Sequence, residues 1–444
     1  MKYSFTTSLL AATVAGLATA PPQIEFHTGT RRWAHLRVSM DQYTTYYFDN
    51  QIDHFDEGDE RTYKQRYWYN DKFFDKDSGP VFLYICGEWT CTPPDEQMFP
   101  MLVGADHKAL LMSLEHRYYG DSQPFEDWST PNLKYLTSEQ ALADIAQFID
   151  AQNEALGREA DWIVIGGSYP GALAAWFKSQ YPKHAVGAWS SSGVIHAIDD
   201  FKAFDKDLYD RAMLNNDQCP VHVRDVVDHI AQEFKTEEGT KRVCETFGID
   251  ESTLDKRDFQ FYLADIFTTG IQYGNRVTMC NDFYEASGSI ESLMDAVAKF
   301  GTGAGVTYDL YWHKALQDTT IDINKAYRQW TYEYCTQFAF FQTPNDVFPM
   351  RSEELELPFW SYYCKAIFGD DIGEPAVERV NKHYGGLDIM GDNIFFLNGS
   401  EDPWQYAAMT EIKHPETTQR TMQAAYIECD TCGHCVDFHT PTDG

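Results

Sequence analysis

The sequence predicts an α/β fold, with a mainly parallel sheet built from two stretches of chain and a helical domain inserted between them. Three observations carry the prediction. Short apolar runs alternate with helix-spaced segments through residues 81–192, the pattern of strands joined by helical crossovers. Residues 162–177 read as strand, sharp turn and helix: a β-branched run stops at Gly166, Gly167 and Ser168, and an Ala/Leu/Trp/Phe stretch follows. The rhythm is lost from about residue 194 to residue 347, where charged helical segments take over, and strand language returns at 393–399 and 423–427.

In chain order, residues 1–20 carry Lys2, an apolar stretch from Leu9 to Leu17, and Ala18-Thr19-Ala20 before two prolines. This reads as a cleaved secretory signal, too short to remain as a membrane span. Residues 21–45 are expected to be a polar arm or propeptide, with Arg31-Arg32 as a processing point. The first core segment is placed at 46–195. Alternating aromatic residues at 46–55 and 61–70 read as edge strands, and residues 81–90, after Gly79-Pro80, as a buried strand ending in a loop. Residues 110–120 give another strand and turn; 136–156 give a helix between a Thr137/Ser138 cap and Gly157, and 187–192 the next strand. The insertion is placed at 196–347 and the second core segment at 348–444.

With 444 residues, 43% of them apolar and 15% aromatic, the chain can bury a large core. Its formal charge of −33 argues against nucleic acid and anionic membrane surfaces as partners. Ten cysteines behind a secretory leader fit an oxidising compartment and disulfides, with connectivity left open. Cys429, Cys432 and Cys435, with His434 among them, invite a metal reading, but thiolates are scarce in such a compartment and no second Cys/His pair stands at finger spacing. No metal and no cofactor are expected.

The elbow around Ser168 carries the chemistry. A small residue two before the serine lets the backbone turn steeply, and the strained apex exposes the hydroxyl for attack; this is the α/β-hydrolase arrangement. The amide of Tyr169, first in the helix, would face a developing oxyanion. Pro170 replaces the second glycine of the usual pattern, which the first turn of a helix tolerates. That fold calls for an acid and then a histidine on loops after late strands. Asp402, followed by Pro403, fits the acid better than Glu401; His434, after Gly433, fits the base better than His439. Asn398-Gly399-Ser400 has the form of a glycosylation acceptor, but its place in the acid loop argues that it is unmodified. His116 and Arg117 read as part of a structural turn.

Several segments together resemble the serine carboxypeptidase family of lysosomal Pro-X carboxypeptidase, dipeptidyl-peptidase II and thymus-specific serine protease. They are residues 51–55, 62–67, 79–88, 115–125, 166–169, 173–177, 398–404 and 433–435, with Glu115-His116-Arg117-Tyr118-Tyr119-Gly120 the most specific. The resemblance implies a triad of Ser168, Asp402 and His434, and an oxyanion hole from the amides of Tyr169 and the Gly87-Glu88 loop. It also implies a cap over the entrance and a pocket of large apolar side chains that includes Trp404. Ala172 stands where the Pro-X and dipeptidyl enzymes carry methionine, and Pro170 where they carry glycine; both lean toward the thymus-specific branch. Glu88 reads equally as a partner for a substrate amine or as a structural loop acid. The expectation is a secreted or lysosomal serine peptidase acting through an acyl-enzyme, an exopeptidase favouring bonds after proline, with peptides as partners and a homodimer open. The alternatives are an esterase or lipase on the same fold and a non-catalytic binding protein.

Overall fold

The strands are β1 (Tyr46–Gln51), β2 (Thr62–Asn70), β3 (Val81–Ile85), β4 (Leu110–Leu114), β5 (Trp162–Gly167), β6 (Gly187–Ser191), β7 (Ile394–Gly399) and β8 (Gln423–Ile427). They form one sheet in the order β1-β2-β4-β3-β5-β6-β7-β8. β2 pairs antiparallel with both β1 and β4, and every other pairing is parallel. This is a computed structural model that describes residues 43–95, 97–412 and 421–439. The expected leader, and the arm through residue 42 with Arg31-Arg32, lie outside the described residues.

The parallel strands are apolar because helices cover both faces. All five residues of β4 are buried, as are four of five in β3 and five of six in β5. The covering helices of the first core segment are α1 (Phe99–Asp106), α2 (Thr130–Leu133), α3 (Ser138–Leu156) and α4 (Tyr169–Gln180). α3 begins and ends where its sequence signals stand. The Thr137 hydroxyl accepts the Gln140 N–H, and Gly157 takes the left-handed conformation (φ 70°) that closes a helix C-terminus. Arg117, fully buried, is structural: it bonds both carboxylate oxygens of Asp144 at 2.7 Å and the carbonyls of Gln51, Ile52 and Tyr135.

Between β6 and β7 the described chain is helical: α5 (Lys202–Asn215), α6 (Cys219–Glu233), α7 (Glu237–Phe247), α8 (Lys256–Gln272), α9 (Arg276–Ala286), α10 (Ile290–Gly303), α11 (Tyr327–Glu333), α12 (Leu357–Phe368) and α13 (Val377–Tyr384). α8 is the hub, with 14 buried residues. α13 packs behind α4, where Tyr384 stacks on Trp176 at 4.2 Å between ring centres and 11° between planes. Burying a ring of that size contributes about 2–3 kcal/mol. Disulfide Cys219–Cys280 ties α6 to α9 and Cys335–Cys364 ties the turn after α11 to α12; Cys86–Cys91 closes the loop after β3 and Cys429–Cys432 the loop after β8. Cys244 and Cys435 are free and buried.

Candidate active site

Ser168 sits between β5 and α4 with φ 65° and ψ −128°, a strained conformation that costs about 1–3 kcal/mol and needs its surroundings to hold it. Its N–H donates to the Ser191 carbonyl on β6 at 2.9 Å, and its carbonyl accepts the Ala172 N–H at 3.0 Å. Space dictates the two glycines. A Cβ on Gly166 would lie 2.0 Å from the Pro170 oxygen, and one on Gly167 would lie 2.9 Å from the Cys435 sulfur. The second distance also shows that the loop carrying His434 lies against the end of β5. Tyr169 is the first residue of α4, so its N–H is one of the helix-end donors.

Asp402 is fully buried at the end of β7. Its Oδ1 accepts the Trp404 N–H at 3.0 Å, capping the turn over Pro403–Ala407, and its Oδ2 lies 2.8 Å from His434 Nδ1. Glu401 faces elsewhere: both its oxygens bond Arg276 of α9, at 2.7 and 2.9 Å, and Oε1 accepts the Thr431 N–H. His439 is exposed, which leaves His434 as the imidazole in the pair.

His434 is held from three sides. Its N–H donates to the Gln272 carbonyl at the end of α8 at 2.7 Å, the next N–H, of Cys435, donates to Ser192 Oγ at 2.9 Å, and Asp402 fixes the ring. Nε2 is buried and has no hydrogen-bond partner among the described residues, so the Ser168 hydroxyl does not donate to it in this arrangement. Burial opposes protonation of this ring, yet the adjacent Asp402 carboxylate outweighs it and holds the imidazole well above the ordinary value of 6.5. The family described as serine carboxypeptidase S28 matches residues 50–444 of this sequence, the stretch that carries all three side chains.

The chain belongs to the serine carboxypeptidase S28 family. It is 33% identical over 409 residues to the probable serine protease EDA2 of Arabidopsis thaliana, covering 88% of this chain and 80% of that one. It is 27% identical to the thymus-specific serine protease of Mus musculus (82% and 78% covered) and 28% identical to the lysosomal Pro-X carboxypeptidase of Pongo abelii (83% and 79%). The segments of the resemblance together therefore pointed to the right family.

Around this S28 site the Gly87-Glu88 loop touches the elbow. A Cβ on Gly87 would lie 2.2 Å from Pro170 Cγ, so the bare glycine is what admits the proline ring that the usual elbow lacks. Glu88, Ser168 and Trp404 line one pocket. The Trp404 indole N–H donates to Gln272 Oε1 at 3.1 Å, and its ring lies 6.3 Å from that of His434. Ala172 does not reach the pocket: one turn into α4, it is fully buried against the sheet, so the expectation that it contacts substrate is corrected. Asn398 is buried and its amide donates to the Met409 carbonyl at 2.8 Å, leaving no room for a glycan.

Behind the elbow lies a buried polar group that the sequence did not announce. The Tyr169 hydroxyl lies 3.1 Å from His116 Nε2 and also interacts with Glu333, at the end of α11; the Tyr119 hydroxyl donates to Glu333 at 2.5 Å. Burial pushes Glu333 up to about 8 and His116 down to about 4, so both are neutral near pH 7. Most of the pocket wall comes from the helical stretch between β6 and β7, including Asp265, Tyr311, Trp330 and Trp360. Their signal in the sequence was an unusual density of aromatic residues over 308–334 and 357–363, but such stripes at helical spacing describe a core equally well. The Cys429–Cys432 disulfide removes two of the thiols that a metal at the C-terminal cysteines would use.

Proposed function

We propose that this S28 serine peptidase cleaves peptides through an acyl-enzyme on Ser168, as an exopeptidase that favours bonds after proline, in the secretory route or lysosome. The observation that carries the reading is the buried His434–Asp402 pair, packed against the end of the strand whose turn strains Ser168. In this mechanism His434 Nε2 takes the hydroxyl proton as Ser168 Oγ attacks the carbonyl carbon, and returns it to the departing amine. Asp402 keeps the proton on Nδ1 and stabilises the imidazolium. The amides of Tyr169 and Glu88 receive the negative oxygen of the tetrahedral intermediate. Water then repeats the sequence on the ester. Rigid proline suits the aromatic walls around Trp404 because its ring packs without losing rotamer freedom.

The test is turnover of proline-containing peptides and para-nitrophenyl esters by the wild type and by Ser168→Ala, Asp402→Asn and His434→Ala. Each variant is expected to fold and to lose about a thousandfold or more in kcat. Wild-type turnover in Ser168→Ala would refute the acyl-enzyme, and cleavage of esters without any peptide would leave an esterase.

A further inference from the structure

Away from the active site, the start of α8 gathers two acids and an imidazole. Asp255 precedes the helix and caps it, its Oδ1 accepting the Arg257 N–H at 2.9 Å, and Asp258 stands in the first turn. His313 comes from the chain just beyond the short turn over Tyr308–Leu310. Each of the three offers one ligand atom, and these atoms lie within 4.8 Å of one another. A separation of 55 residues between Asp258 and His313 hides the set from any reading by finger spacing.

Asp258 is the unsettled member. It is fully buried, and its Oδ2 accepts the His313 backbone N–H at 2.9 Å and lies 2.6 Å from Nδ1 of the same residue. The other oxygen, Oδ1, is buried and has no hydrogen-bond partner among the described residues. A carboxylate oxygen sealed from water without a partner is costly. No lysine or arginine pairs with Asp258 among the described residues. The Arg257 guanidinium lies over the Tyr362 ring, 3.6 Å from its centre, and its acidic contact is Asp255, at 3.7 Å; Lys256 bonds the Phe234 carbonyl.

The three side chains therefore hold two negative charges against at most one positive charge, on His313. A divalent cation would neutralise both acids, give the orphan oxygen a partner and leave the imidazole neutral, the form that donates a lone pair. One imidazole with two carboxylates suits zinc, whereas magnesium and calcium take shells of oxygen. We propose that Asp255, Asp258 and His313 bind one zinc ion, with water completing its shell. The ion clips the start of α8 to the segment after Tyr308–Leu310. It lies at the opposite end of that helix from Gln272, whose carbonyl holds the catalytic loop, so it braces the helical domain and takes no part in hydrolysis.

The test uses the full chain, stripped with a chelator and dialysed, and zinc chloride as the probe. Metal analysis and calorimetric titration are expected to give one zinc per chain with a dissociation constant of about 1 µM or below. Excess zinc should raise the thermal midpoint by several degrees, and calcium or magnesium at the same concentration should not. Asp255→Asn keeps an oxygen to cap α8 and should weaken binding about tenfold, and His313→Gln about a hundredfold. His434→Ala should bind zinc as the wild type does. No zinc on the wild type overturns the proposal, as does unchanged binding in either folded variant, which would mean an adventitious ion elsewhere. Loss in His434→Ala would put the ion on the catalytic imidazole and overturn it equally, and tighter binding of calcium would overturn the choice of zinc. If His313→Gln fails to fold, Asp255→Asn decides alone, because its side chain is partly exposed.

Discussion

At the scale of single residues, two buried titrating groups should be visible in pH profiles, with opposite meanings. His434 is held protonated by Asp402, so the free base appears only as pH rises through a value above the ordinary 6.5, and kcat/KM should climb across that range. In Asp402→Asn the carboxylate no longer opposes burial and only Cys435 remains to raise the imidazole, so the rising limb should move to lower pH while kcat falls; a limb that stays in place would show that Asp402 does not set the imidazole. Glu333 affects stability rather than turnover. Its carboxyl is raised from 4.5 to about 8, so its contribution is complete below 4.5 and is lost as pH rises through about 8. Glutamine mimics the neutral acid and cannot ionise. Glu333→Gln should therefore gain stability relative to wild type as pH is raised across that window, by a few kcal/mol on the order given by linkage, read as the difference in thermal midpoints.

At the scale of elements, the elbow depends on a loop far from it in sequence. Gly87→Ala would drive a methyl into the Pro170 ring and displace the Glu88 amide, with an expected loss of about a hundredfold in kcat. Adding Pro170→Gly should restore much of it, and no recovery in the double variant would show that the loop is held by something else. This pairing illustrates what was legible in advance. The strands and α3 could be read because apolar period, caps and glycines are local signals, and the strained turn at Ser168 and the Asp402–His434 contact because chain order and strand context constrain them. Glu333 and the helical wall of the pocket could not be read, because an acid in an aromatic helix gives no hint of which hydroxyls it will meet. Ala172 was misplaced for the converse reason: proximity to the nucleophile in sequence puts it one helical turn away, facing the sheet.

At the scale of the molecule, the insertion and the late core loops are locked together. Arg276 of α9 and Glu401 beside the acid are both almost fully buried, so Arg276→Met would strand a carboxylate and should cost about 3–5 kcal/mol in denaturant unfolding. Replacing both partners with apolar residues should recover most of that, and equal losses in the single and double variants would refute the pairing. The thiol count offers a second check: a thiol-specific reagent should find Cys244 and Cys435 only after unfolding. The peptide nitrogen of His434 hangs from the carbonyl of Gln272, at the tip of the helical roof. A roof that swung away like a hinged door would break this bond and release one of the three holds on the base, so the arrangement that presents His434 is one in which α8 stays seated against the late loop.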